Sequence, residues 1–192
     1  MKEQLNVDIG GAKNERTLHG AWKILDVLKH ADYVMDLNSG NPLPFKNEQV
    51  DNFYCSHTLE HVKPSLTVFV LSEIYRCLKE DGKLRVIVPD IDYAIRVYIG
   101  DANLPKTGKV VGGQKHYPPT RLGELLAWFM TPDKSIQSGH KMGFDVETLT
   151  WCLRKAGFKE VEQMWCNKCS AVFKGKDFKK YKGNSIFVEV EK

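Results

Sequence analysis

Residues 43–62 read LPFKNEQVDNFYCSHTLEHV. The run at 50–55 (VDNFYC) is short and rich in apolar and aromatic side chains, the pattern of a buried strand. Ser56, His57, Glu60 and His61 follow at once, where the chain must leave a sheet and turn toward a helix. In open α/β sheets the ligand crevice lies outside the carboxyl ends of the strands. If this strand is parallel and central, the polar cluster stands where chemistry is done. The plainest reading is a polar helix start, with Ser56 capping and the histidines in solvent.

The flanks support a parallel sheet. Residues 5–9 (LNVDI) run into Gly10-Gly11-Ala12, a strand entering a tight turn. Residues 22–27 form a second apolar run with Asp26 near its end, and residues 31–37 (ADYVMDL) a third with Asp36 near its end. The link between the first two is cramped for a full crossover helix, so an irregular or short connection is expected. After Pro64 the spacing predicts a helix over 65–79, with Leu66, Phe69, Val70, Ile74 and Leu78 inward and Gly82 as its stop. Residues 83–88 (KLRVIV) read as a strand ended by Pro89-Asp90. Asp145 caps a helix that Gly157 stops. Strands near Val161 and Ser185 flank a lysine-rich connection and are placed to pair antiparallel. The alternation predicts a single α/β domain over residues 1–192, with a doubly wound, mainly parallel sheet of about seven strands and an antiparallel last strand.

Residues 100–143 break that rhythm with many glycines and prolines and one amphipathic piece at 121–130 (RLGELLAWFM). A long insert of this kind is expected to act as a lid over the site. Tyr117, Arg121, Trp128 and His140 are its candidate substrate contacts, and 121–130 is an alternative oligomer contact. The chain is 42% hydrophobic and 27% charged, which excludes a disordered polyelectrolyte, and its net charge of +4 is too mild for a nucleic-acid-tracking surface. The lysines at 174, 176, 179, 180 and 182 read as a solvated loop. There is no secretory signal or bilayer-length apolar run. Five cysteines without scaffold spacing favour a reducing, cytoplasmic setting. Cys166-x-x-Cys169 lacks a second pair for a structural zinc.

Carboxylates at successive strand ends carry the chemical reading. Asp26 is placed to hold a ribose diol, Asp36 to accept from an exocyclic amine, and Gly10-Gly11 to let a ligand approach the backbone. Two family resemblances then bear on residues 56–61. His57-x-x-Glu60-His61 fits the inverted zinc-protease motif, but that motif wants both histidines on one long helix, and Pro64 shortens any helix here. No metal is therefore expected at His57, Glu60 and His61. A nicotinamide-dependent dehydrogenase is disfavoured because G-x-G-x-x-G is absent.

The second resemblance runs along most of the chain. Val7-Asp8-Ile9-Gly10-Gly11, Asp26, Asp36-Leu37 followed by Leu43-Pro44-Phe45, Ser56-His57-Thr58-Leu59-Glu60-His61, Glu73 and Arg76 ahead of Gly82, and Ala156-Gly157-Phe158 together resemble the class I S-adenosylmethionine-dependent methyltransferases. The resemblance implies methyl transfer to a small-molecule acceptor, a hydroxyl, amine or carboxylate of a metabolite or sugar. It implies S-adenosylmethionine held by Asp8, Gly10, Gly11, Ala12, Lys13, Asp26, Asp36, Leu37, Ser56 and His57. The glycine turn departs from the family's G-x-G-x-G, which puts Lys13 or Asn14 forward for the cofactor's carboxylate. His57, His140 and His61 are the candidate bases. The alternative is a non-catalytic binding or scaffold domain with the same fold.

Overall fold

In a computed structural model, residues 4–11, 22–100, 120–130 and 139–192 are described. The strand that the sequence singles out, β4 (Val50–Ser56), is buried along almost its whole length. Its neighbours explain why. It pairs in parallel with β1 (Asn6–Ile9) on one side and with β5 (Leu78–Pro89) on the other. A strand covered on both faces and both edges is largely apolar, as Val50, Phe53, Tyr54 and Cys55 are, and its buried Asn52 donates to Asn6 of β1 at 2.8 Å. β2 (Trp22–Asp26) and β3 (Tyr33–Val34) extend the sheet beyond β1. β6 (Glu162–Met164) and β7 (Ser185–Glu191) close the other edge, with β7 antiparallel to both β5 and β6. The order is β3-β2-β1-β4-β5-β7-β6, so the winding reverses between β1 and β4. That reversal opens a crevice above their carboxyl ends.

The helices are α1 (Pro64–Cys77), α2 (Ile91–Ile99), α3 (Arg121–Phe129) and α4 (Val146–Ala156). Asp145 caps α4 through the Thr148 amide and Gly157 ends it, as the sequence predicts. Two expectations about α1 need correction. Its buried face is Thr67, Val70, Leu71, Ile74 and Cys77, while Phe69 is turned outward. It also stops before Leu78, which already belongs to β5. The ladder jumps from Val50–Leu78 to Asn52–Lys83, so the residues between bulge out, with Asp81 at φ 61°. Gly82 is thus part of the bulge and not a helix stop. A Cβ there would meet the Lys79 carbonyl oxygen at 2.7 Å.

The family-like residues Glu73 and Arg76 are a clamp. Glu73 accepts the Leu43 amide at 2.9 Å, and Arg76 donates to the Phe45 carbonyl at 3.0 Å and to Glu73 at 2.6 Å. Helix α1 thereby fixes the segment at 43–47, whose Phe45 packs on Tyr33 and Phe53.

The lysine-rich connection is not uniformly solvated. Lys176 is buried, 3.2 Å from Asp8 and 4.1 Å above the Trp22 ring, while Lys174, Lys179, Lys180 and Lys182 stay exposed. Asp177 beside it locks onto Arg85 of β5. These pairs seat the connection across the strand ends, an arrangement that no local lysine count signals.

Candidate active site

The crevice holds a cleft of about 380 Å³ lined by residues of four strand-end loops, among them Gly10, Asp26, Asp36, Leu37, Asn38, His57, Thr58 and His61. That volume lies in the usual range for small-ligand sites. Each wall follows from local sequence. Gly10 adopts φ 73°, and its amide donates to the Leu25 carbonyl at 2.8 Å. A Cβ at Gly10 would stand 2.0 Å from Thr58 Oγ1, so glycine is required for the loop after β4 to close over the turn.

Asp26 ends β2 with one carboxylate oxygen held by the Leu28 amide at 3.1 Å. Asp36 caps the 3-10 turn Leu37–Ser39 through the Asn38 amide at 2.8 Å. Asn38 donates to the His61 carbonyl and accepts the Lys63 amide, joining the Asp36 wall to the histidine wall. Ile9, Leu25, Val27, Met35 and Val62 make the rest apolar. Anchored carboxylates on two strand ends beside an apolar slot suit a nucleoside, with hydroxyl donors at one end and a flat ring against the aliphatic side chains.

The histidine wall begins at His57, in the left-handed region at φ 52°. For a residue other than glycine that conformation costs about 1–3 kcal/mol, and it is concentrated at functional sites. Its ring stacks on Tyr181 at 3.6 Å, and its Nε2 meets Ser185 Oγ at 3.2 Å. Its Nδ1 stands 3.4 Å from Glu60 Oε1. After Thr58 the chain makes one 3-10 turn, Leu59–His61, and α1 starts only at Pro64. His57 and His61 therefore never share a helical face, which removes the geometry that an inverted zinc-protease motif needs.

His140 arrives from elsewhere in the chain. The amides of Lys141 and Met142 donate to the Glu60 carbonyl at 2.7 and 3.2 Å, bringing the His140 ring 4.9 Å from that of His61. Burial lowers the His140 pKa from its ordinary value. Burial pushes the Glu60 carboxyl up, but His57, His61 and His140 outweigh it, and the carboxyl lies below its usual range.

The other predicted residues divide. Asp8 is fully buried beneath the glycine turn, paired with Lys176, and Ser56 is buried within β4; neither lines the cleft. A Cβ on Gly11 would strike the Asp8 carboxyl, so Gly11 is packed against that buried pair. Arg121 lies over the Tyr98 ring at 5.6 Å and lines a separate depression with Tyr98, Ile99, Thr120 and Leu122. That position is on the α2–α3 pair and away from the cleft. Trp128 packs on Tyr93, and its carbonyl faces His140 Nδ1 at 3.2 Å. Ala12, Lys13, Asn14 and Tyr117 lie outside the described residues, as does most of the expected lid. Sequence reasoning missed Asn38, Tyr181 and Ser185, and it had no signal for the joining of Glu60 to His140. The buried thiols offer no nucleophile: burial pushes the Cys77 thiol up to about 11.

A family model described as a methyltransferase domain matches residues 18–86. No curated protein matches the chain by sequence. Several solved structures share the fold. An S-adenosylmethionine-dependent methyltransferase from Archaeoglobus fulgidus aligns with 13% identity and a TM-score of 0.59, over 100% of this chain and 87% of that one. One from Thermotoga maritima aligns with 21% identity and a TM-score of 0.56, over 100% and 84%. The 1,6-didemethyltoxoflavin N1-methyltransferase of Burkholderia thailandensis, solved with its acceptor and S-adenosylhomocysteine, aligns with 12% identity and a TM-score of 0.57, over 98% and 70%.

Proposed function

We propose that the chain is a class I S-adenosylmethionine-dependent methyltransferase, a reading supported by its fold and by the methyltransferase-domain match over residues 18–86, and that the cleft binds S-adenosylmethionine through Asp26 and Asp36 and serves a small-molecule acceptor. The observation that carries this reading is the pair of backbone-anchored carboxylates at the ends of β2 and β3, facing one apolar slot beside Gly10. Asp26 takes the ribose hydroxyls with its acceptor oxygens. Asp36 faces the adenine edge, with Leu37, Met35 and Val62 against the ring. When bound, the sulfonium supplies a methyl group whose transfer needs an acceptor held in line more than covalent help.

His57 is the residue to receive the acceptor's proton. The Glu60 carboxylate, 3.4 Å from Nδ1 and outside hydrogen-bond geometry, supplies the negative charge that favours the imidazolium formed when the ring takes that proton. The stacked Tyr181 holds the ring in that plane. A small acceptor fits the mild net charge of +4 and the modest cleft. The Burkholderia enzyme, similar in fold, is a 1,6-didemethyltoxoflavin N1-methyltransferase solved with 1,6-didemethyltoxoflavin bound.

Calorimetric titration with S-adenosylhomocysteine tests the reading. The wild type should bind one equivalent, and Asp26→Ala should weaken binding by about 1–3 kcal/mol, the worth of hydrogen bonds to a charged acceptor. Unchanged affinity in Asp26→Ala would refute the ribose assignment.

A further inference from the structure

Glu60 is only 1% exposed, and neither of its carboxylate oxygens accepts a hydrogen bond. His61 Nδ1 is likewise buried without a partner. His57 and His61 stand 3.4 and 3.9 Å from Glu60 Oε1, contacts of ion-pair length without hydrogen-bond geometry. A buried carboxylate left in this state is costly unless something neutralises it.

We propose that Glu60, His61 and His140 form a site for a divalent transition-metal ion in the wall of the cleft. One ligand atom from each lies within 4.8 Å of the others. An ion about 2.0–2.2 Å from each would draw these atoms to about 3.4 Å apart, an adjustment within the reach of side-chain rotation. The His140 side is already oriented. A carbonyl only accepts, so the contact with the Trp128 carbonyl at 3.2 Å places the hydrogen on Nδ1 and makes Nε2 the basic nitrogen of the ring. An acceptor behind the ring nitrogen that does not ligate is the usual arrangement for histidines in metal sites. The amides of Lys141 and Met142 on the Glu60 carbonyl hold the two segments together.

Two imidazoles and one carboxylate select an ion of the zinc, cobalt, manganese or iron class. Calcium and magnesium prefer oxygen ligands, and no thiolate belongs to the cluster. Three protein ligands leave coordination positions open. His61 lines the cleft, so those positions adjoin it. There the ion would hold an acceptor oxygen as an electron-pair acceptor. That role rests on the proposed methyl transfer; the metal site does not.

The test is a titration of the purified, metal-stripped full chain with Co²⁺, followed by visible absorption and by thermal melting. One equivalent should bind, giving d–d bands without intense sulfur charge transfer, and should raise the melting temperature. His61→Ala, His140→Ala and Glu60→Gln should each weaken binding by at least about tenfold. The exposed control His30→Ala should bind as the wild type does. A Cys166→Ser/Cys169→Ser double variant with an unchanged titration excludes binding at those thiols. If one cluster variant fails to fold, the other two and the wild-type melting shift still decide. Absence of stoichiometric binding, or binding indifferent to His61→Ala and His140→Ala, would overturn the proposal. Metal binding without S-adenosylhomocysteine binding would leave the site standing and sink the methyl-transfer reading; the reverse result would do the opposite.

Discussion

Asp177 and Glu60 are both shut away from water, yet their surroundings differ at every point. Asp177 accepts from Arg85 Nε at 2.9 Å and Nη2 at 2.6 Å, and from the Asn167 amide at 2.7 Å. Tyr54 Oη adds a contact at 3.3 Å. Arg85, fully buried, pays its desolvation through this network and keeps a raised pKa. Glu60 has histidines about it and no hydrogen bond to either oxygen. The first carboxylate fastens the lysine-rich connection to β5. The second has fixed backbone and unspent acceptor capacity, which is how a ligand-binding group differs from a structural one.

Breaking that contrast is a matter of measured stability. Asp177→Ala should have the largest effect, about 3–5 kcal/mol by chemical denaturation, because it leaves the buried Arg85 guanidinium with only the Trp165 carbonyl at 3.2 Å and Glu189 at 3.5 Å. Arg76→Ala should cost less, about 1–3 kcal/mol, since its charge-assisted bonds to Glu73 and Phe45 are partly open to solvent. Glu73 gives this intermediate case a pH signature. The Arg76 hydrogen bond holds its carboxyl below the ordinary value of 4.5. The native chain thus binds that proton more weakly than the unfolded chain. The stabilisation is present above the unfolded value and is lost as pH falls through the lower native one. Glu73→Gln should flatten the acid limb of a stability-versus-pH curve; an unaltered limb would remove this pair from the set.

Glu60→Gln should have the smallest effect, at most about 1 kcal/mol in metal-free protein, because no hydrogen bond is broken. A loss as large as that of Asp177→Ala would mean that Glu60 is structural and would erase the contrast. A small loss together with disappearance of the cobalt-induced melting shift would sharpen it.

What the sequence discloses follows the same division. The β4 strand, the Asp145 and Gly157 ends of α4, and Asp26 and Asp36 at strand ends are legible because each rests on neighbours a few residues away. Where α1 ends is hidden, since Leu78 and Lys79 continue a helical spacing until pairing with Val50 draws Leu78 into the sheet. Lys176 looks like one more solvated lysine; only the fold delivers it to Asp8 and Trp22. His57 and His61 suggest a pair by proximity in sequence, but a left-handed residue and a 3-10 turn set them apart and His140 closes on Glu60 instead. Pairings between distant segments leave no periodicity to read.

A crystal structure of the chain with S-adenosylhomocysteine tests the central claim most directly. The ribose should lie against the Asp26 carboxylate and the adenine between Asp36 and the apolar wall of Leu37, Met35 and Val62, with the sulfur toward His57. Adenosine bound elsewhere, or a cleft that stays free of ligand at saturating concentration, would contradict the assignment of this crevice as the cofactor site.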